Sequence, residues 1–355
     1  MKRDRQLFWV MAIGFGLVCC SKKTDTPKTD SATQPAATSA STPAASGSST
    51  ATAAPEAATP SMDTASKDAS GVKAEMRNVQ FHLLGDASAH LEMLNGELLP
   101  TGKHPYVVFD DKSSFTVHVN NGTITITPEA LAEIMNKHVF AKSDAPLKDL
   151  TVAIDKNRLI IKGKLHSKGD IPFGTAGTLS VTDDGRMRVH TEKITAMKLP
   201  LKGVMGLFGI ELANVVNTSK IDGMDTDKND LLMDLGKLLP PPHIQGKLTG
   251  VRIEPNAIVT IFGDGGKTMG APKEKGGYMA FNGGTVKFGN VLMEPTDLTV
   301  LNVDGGSGLD WNQDRYKDQL VAGYSKITPA FGLRAYVKDF SKLGRGTAAS
   351  DSKPK

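Results

Sequence analysis

The chain has 355 residues, a net charge of +4, 39% apolar residues and only two cysteines, Cys19 and Cys20. Basic and acidic side chains are interspersed from Lys73 onward, which excludes the basic stripe of a nucleic-acid binder. No cysteine follows Cys20, so a disulfide framework is excluded and the fold must rest on its apolar core.

In chain order the first element is a leader. Met1-Lys2-Arg3-Asp4-Arg5 carries net positive charge and runs into the apolar stretch Leu7 to Val18. A helix needs about 20 apolar residues to cross a bilayer core, so this shorter run reads as an export signal rather than a retained span. The junction Leu17-Val18-Cys19-Cys20 resembles the lipobox of bacterial lipoproteins, with Leu three places before the acylated cysteine. Cys20 fits that place. Cys19 as the anchor would put Gly16 where Leu is expected, and an ordinary cleaved signal would discard both cysteines. The expectation is a signal peptide over 1–19 and a membrane anchor through acyl chains on Cys20, with Ser21 favouring an outer membrane facing the periplasm. Residues 20–72 are almost wholly Ser, Thr, Ala, Pro, Asp and Lys, the composition of a disordered tether. Fifty such residues span on the order of 40 Å.

Order is expected near Met76, with short strands at 79–83 and 91–94 and a turn at Asn95-Gly96. Residues 115–119 and 123–126 alternate around Asn121-Gly122, which predicts a tight β-hairpin. Thr127, Pro128 and Glu129 then start an amphipathic helix with Leu131, Ile134, Met135, His138 and Val139 on its apolar face. Strands follow at 150–154, 158–161, 178–181 and 187–190. A second helix over 201–216 would bury Val204, Leu207, Phe208, Leu212 and Val215, although Gly203, Gly206 and Gly209 weaken it. Further strands are expected over 244–253, 258–262, 278–281, 285–288 and 298–301. The pattern predicts an α+β domain over 73–265 with a mostly antiparallel sheet, a β-rich extension over 266–343, and a frayed tail over 344–355.

Motifs for chemistry are incomplete. Gly263-Asp264-Gly265-Gly266-Lys267-Thr268 ends like a phosphate-binding loop, but Ile261 stands where its first glycine belongs. Asp225 to Asp230 opens like a calcium loop, yet Asp230 replaces the sixth-position glycine and Gly236 the bidentate Glu. The eight histidines lack the spacing of a zinc site. No catalytic residue, metal or cofactor is assigned.

The succession Ile-Thr-Pro-Glu-Ala-Leu from Ile126, Leu-Lys-Asp-Leu-Thr-Val-Ala-Ile from Leu147, Gly-Asp-Ile-Pro-Phe from Gly169 and Gly-Val-Arg-Ile-Glu-Pro-Asn-Ala-Ile from Gly250 resembles bacterial phospholipid-binding envelope proteins of the LmeA type. Those proteins are similar to the tubular lipid-binding fold. The resemblance covers about half of the ordered chain and implies a long curved, mostly antiparallel sheet wrapped around one or two helices. It also implies an apolar groove taking a phospholipid or acyl chain. On that reading Leu131, Ile134, Met135, Val204, Leu207, Phe208 and Leu212 line the groove of a non-enzymatic lipoprotein. The competing expectation is an envelope structural or interaction module with a filled core and a partner surface around Tyr278 to Phe288.

Overall fold

The computed structural model describes residues 71–166, 170–192, 194–196, 211–214 and 216–343. The leader with Cys19 and Cys20, the tether up to residue 70, the tail after 343, and Val204, Leu207, Phe208 and Val215 lie outside the described residues.

The chain opens with β1 (Val72–Leu84) and β2 (Ala87–Pro100), a hairpin turning at Gly85, where φ is 58°. β3 (Val107–Val108) and β4 (Phe115–Ile126) follow, then α1 (Pro128–Ile134), which runs into a π turn over Met135–Val139. Next come β5 (Leu147–Asp155), β6 (Arg158–His166), β7 (Asp170–Val181), β8 (Met187–Thr191) and β9 (Thr195–Ala196). A 3-10 turn at Leu212–Asn214 precedes β10 (Met224–Asp227), β11 (Asp230–Met233) and α2 (Leu235–Leu238). The chain continues through β12 (His243–Gly246), β13 (Leu248–Glu254), β14 (Ala257–Phe262), β15 (Tyr278–Asn282), β16 (Val286–Phe288) and β17 (Val291–Met293). It closes with β18 (Asp297–Asn302), β19 (Leu309–Asn312), α3 (Tyr316–Val321), β20 (Tyr324–Ile327) and β21 (Leu333–Val337).

These strands make an 11-stranded sheet in the order β13-β14-β4-β2-β1-β15-β18-β21-β20, with β12 added parallel to β4 and β19 parallel to β1. A second sheet runs β10-β11-β8-β7-β6-β5 with β9 on β7, and a small one runs β17-β16-β3. Neither large sheet closes into a barrel. The protein is therefore mainly β, with three short α-helices among the described residues. The two large sheets share one apolar core, to which both contribute buried Leu, Val, Met and Phe. α1 packs against β2 of one sheet and β5 of the other.

Both Asn-Gly pairs depart from the turns their chemistry suggests. Asn95-Gly96 lies inside β2 and Asn121-Gly122 inside β4, and Asn95 pairs directly with Asn121. The register shifts at Asn95/Gly96, so the glycines serve a bulge between two long strands. Because each strand has a neighbour along its whole length, ladder hydrogen bonds override the local turn preference. A Cβ on Gly96 would sit 2.1 Å from the His118 carbonyl oxygen. Gly96→Ala is accordingly expected to cost about 1–3 kcal/mol. It should appear as a lower denaturation midpoint with an unchanged slope.

The apolar side chains from Tyr278 to Phe288 are enclosed, and the exposed apolar groups beside them are Val291 and Leu292 of β17. β15 is hydrogen-bonded on both sides, to β1 and β18, and Tyr278, Met279, Ala280 and Phe281 are buried. β16 is likewise enclosed by β17 and β3. Phe109 meets Phe281 and Phe288 edge-on at 5.2 Å each, and Tyr316 stands 5.1 Å from Phe288 and 5.7 Å from Trp311. This aromatic cluster, with the β1–β15 pairing, joins the segment after 266 to the sheet formed before it. Folded structure also starts earlier than Met76, since Val72 is wholly buried in β1.

Candidate functional site: an apolar cavity between the sheets

Local chemistry at Thr127 sets the position of α1, which reaches the core between the sheets, as do Leu235 and Leu238 of α2. The Thr127 hydroxyl accepts the Ala130 amide at 3.2 Å, and Pro128 supplies a first-turn residue that has no N–H to satisfy. The helix then presents Leu131, Ile134 and Met135 inward. Its π turn is clamped by Asn136, whose amide donates to the Leu150 carbonyl and accepts the Leu150 N–H, both at 2.8 Å. Leu150 follows a β5 bulge at Asp149, where φ is 51°. Asn136 thus fixes helix and strand together at a point where neither continues regularly. Glu133 ties the other side by accepting from the Asp86 amide at 3.2 Å and from Lys137 at 2.6 Å.

Between these elements lies an apolar cavity of about 180 Å³. One wall comes from β1, β2, β4 and β14, with Leu91 and Ile124, and the other from β5, β6, β8 and β11, with Leu150, Ile161, Val189 and Met233. Thr260 is the one hydroxyl-bearing residue in its lining, and that hydroxyl donates to the Ile124 carbonyl at 3.0 Å. Among the described residues the wall offers no free hydrogen-bonding side chain and no titrating group. What such a space can do chemically is remove apolar surface from water.

Of the groove residues expected from sequence, the structure brings Leu131, Ile134 and Met135 together on the cavity. Leu212 is buried in the 3-10 turn beside β10 and β11 and does not line it. His138 points away from the cavity into a polar recess with Lys142, Asp144 and Asp222. That recess meets the cavity at Val139 and Leu238. The cavity walls that sequence reasoning missed are the strand residues. Their signal was the inward set of each alternation, but nothing in the sequence says that two sheets face each other.

The loop after β14 is a surface turn in which the Asp264 carboxylate accepts the amides of Gly266 and Thr268, at 2.8 and 3.0 Å. Residues 225–230 form the β10–β11 hairpin, with Lys228 at φ 53°. Among the described residues no group of three or more His, Cys, Asp or Glu is placed to hold a metal ion, and no helix is long and apolar enough to cross a membrane.

Away from the cavity, Asp310 is a partly buried carboxylate whose pKa is shifted. Burial raises its carboxyl pKa, but His82 at 2.7 Å and the Ser341 amide at 2.9 Å outweigh that and hold it below its ordinary 3.8. A carboxyl lowered in the folded state stabilises the protein above its unfolded pKa and loses that contribution as pH falls through the folded value. Asp310→Asn should therefore flatten the loss of stability below about pH 4, read by denaturation midpoints across an acid series.

Comparison with known protein families, curated proteins and solved structures gives no match to this chain.

Proposed function

We propose that the protein is a non-enzymatic, membrane-tethered envelope lipoprotein that holds an acyl chain or similar apolar ligand in the cavity between its two sheets. The observation that carries this reading is the lining, which among the described residues is apolar except for Thr260, whose hydroxyl is already engaged. Apolar cavities of roughly 150 Å³ stay dry and admit small hydrocarbons such as benzene. At about 180 Å³ this one exceeds that size. Each methylene moved there from water contributes about 0.8 kcal/mol, so even a short stretch of chain binds measurably.

The polar recess at Val139 and Leu238 supports the same reading, because a ligand with a polar end needs a wet exit from a dry pocket. The leader and Cys20 supply the tether in this proposal, and two or more acyl chains on that cysteine make the attachment stable. The test is to purify the full chain from its native host, extract with organic solvent and weigh the extract by mass spectrometry. Stoichiometric lipid is the expected result, and its consistent absence sinks the proposal. For the anchor, Cys20→Ala should leave the precursor unacylated, and continued acylation would place the attachment elsewhere.

A further inference from the structure

Three of the most exposed large apolar side chains among the described residues fall within eleven positions: Val321 at 87%, Ile327 at 73% and Phe331 at 92% exposure. They flank β20, which ends the 11-stranded sheet and has β21 as its only strand partner among the described residues. Val321 precedes the strand at the end of α3, whereas Ile327 and Phe331 stand at its far end and in the following turn. Phe331 holds φ 63°, a conformation that costs a non-glycine residue about 1 kcal/mol or more. The turn is nonetheless fixed, by Thr328 N–H to Gly332 O at 2.7 Å and Phe331 N–H to Thr328 O at 2.9 Å. A rigid turn that spends backbone energy to present a phenylalanine to water calls for something to cover it.

The backbone says what kind of cover fits. Thr328 N–H points at β21, so alternation turns the N–H and C=O groups of Ser325 and Ile327 outward. A bilayer cannot satisfy such groups, whereas another strand can. The geometry points to a second copy of this chain, paired antiparallel along β20 about a two-fold axis at Ser325. In that register Ser325 faces its own counterpart and Tyr324 faces Lys326 of the other copy, a cation over an aromatic ring. Lys326 already lies 5.3 Å from the Tyr324 ring within one chain, so the side chain needs little movement to change rings.

The same two-fold sets Ile327 over Gly323 and brings the Phe331 turn of one copy beside Val321 of the other. The exposed groups at the two ends of the strand thus cover each other, which is what an antiparallel self-pairing requires and a single foreign strand does not. No acidic residue occurs from 319 to 338, and the nearest carboxylate at the turn is that of Asp297, which lies against Gly332. Of the nearby cations, Arg334 is paired with Glu274 and Lys338 with Asp304, which limits repulsion between copies to Lys326. A four-residue strand and its flanks bury less than the roughly 1,200 Å² of a standard interface, so the dimer belongs to the weak class. This inference does not depend on what the cavity holds.

The test uses the full chain with Cys19→Ser and Cys20→Ser, which leaves no native thiol. Directly opposed residues in an antiparallel ladder have Cα atoms about 5.5 Å apart, within disulfide reach. Ser325→Cys should therefore form an intermolecular disulfide at least tenfold faster than Lys162→Cys, an exposed control on β6, and adding Ile327→Lys or the milder Ile327→Thr should bring the rate down to the control. Cross-linking no faster than the control overturns the proposal, as does fast cross-linking that ignores both Ile327 variants. A fluorophore on Phe331→Cys that lipid-borne quenchers reach in vesicles, with no Ser325→Cys disulfide, overturns it in favour of a membrane surface.

Discussion

Ala89→Phe is expected to stabilise the ligand-free protein by about 1 kcal/mol and to strip it of co-purified lipid. Ala89 lies on β2 and lines the cavity, so a phenyl ring there occupies space that now holds no side chain. Filling a cavity commonly adds 0.5–2 kcal/mol, whereas forcing a ring into a packed core removes about 1–3 kcal/mol, so the sign of the change is informative. Thermal denaturation of delipidated protein gives the first quantity, and extracted lipid per chain gives the second. A variant that is less stable and still carries lipid would mean that the cavity is not the ligand site.

Phe281→Ala should lower stability by about 3–5 kcal/mol. Its ring is 1% exposed on β15 and meets Phe109, which lies between β3 and β4. Since β15 is zipped to β1, the loss is expected to move one cooperative transition rather than split it. Fluorescence of Trp311, buried in β19 beside Tyr316, follows that transition together with far-ultraviolet dichroism. Two separate transitions would show that the segment after 266 folds independently of the strands before it.

The parts of the structure legible in the sequence are those decided within a few residues. Thr127 caps α1 as its hydroxyl and the following Pro128 suggest, and Leu131, Ile134 and Met135 reach the cavity because helical spacing alone puts them on one face. The hairpin of β5 and β6 and the turn at Asp184-Gly185 follow from alternation and glycine in the same way. What pairing at a distance decides could not be read locally. Asn95-Gly96 and Asn121-Gly122 carry strong turn chemistry, yet each lies in a strand flanked by partners, and the bulge they share exists only when both strands are present. Tyr278 to Phe281 resembles any short strand until β1 and β18 take both its edges. Asn136 interrupts the apolar helix pattern, and its meaning emerges only with the Leu150 backbone it grips. Val72 extends the alternation of Ala74 and Met76 by one step, a signal present in the sequence but masked by the polar tether before it.

The hydroxyl of Thr260, turned to the Ile124 carbonyl, has a kinetic corollary. A hydrocarbon guest in such a chamber finds no fixed registry: shifting by one methylene exchanges like contacts for like, so there is almost no friction against sliding along its own axis. Selection would then act on girth and length instead of on functional groups. On the proposed reading, residence time would be governed by how often the cavity opens to the recess it meets at Val139 and Leu238, since no polar bond to the described wall has to break.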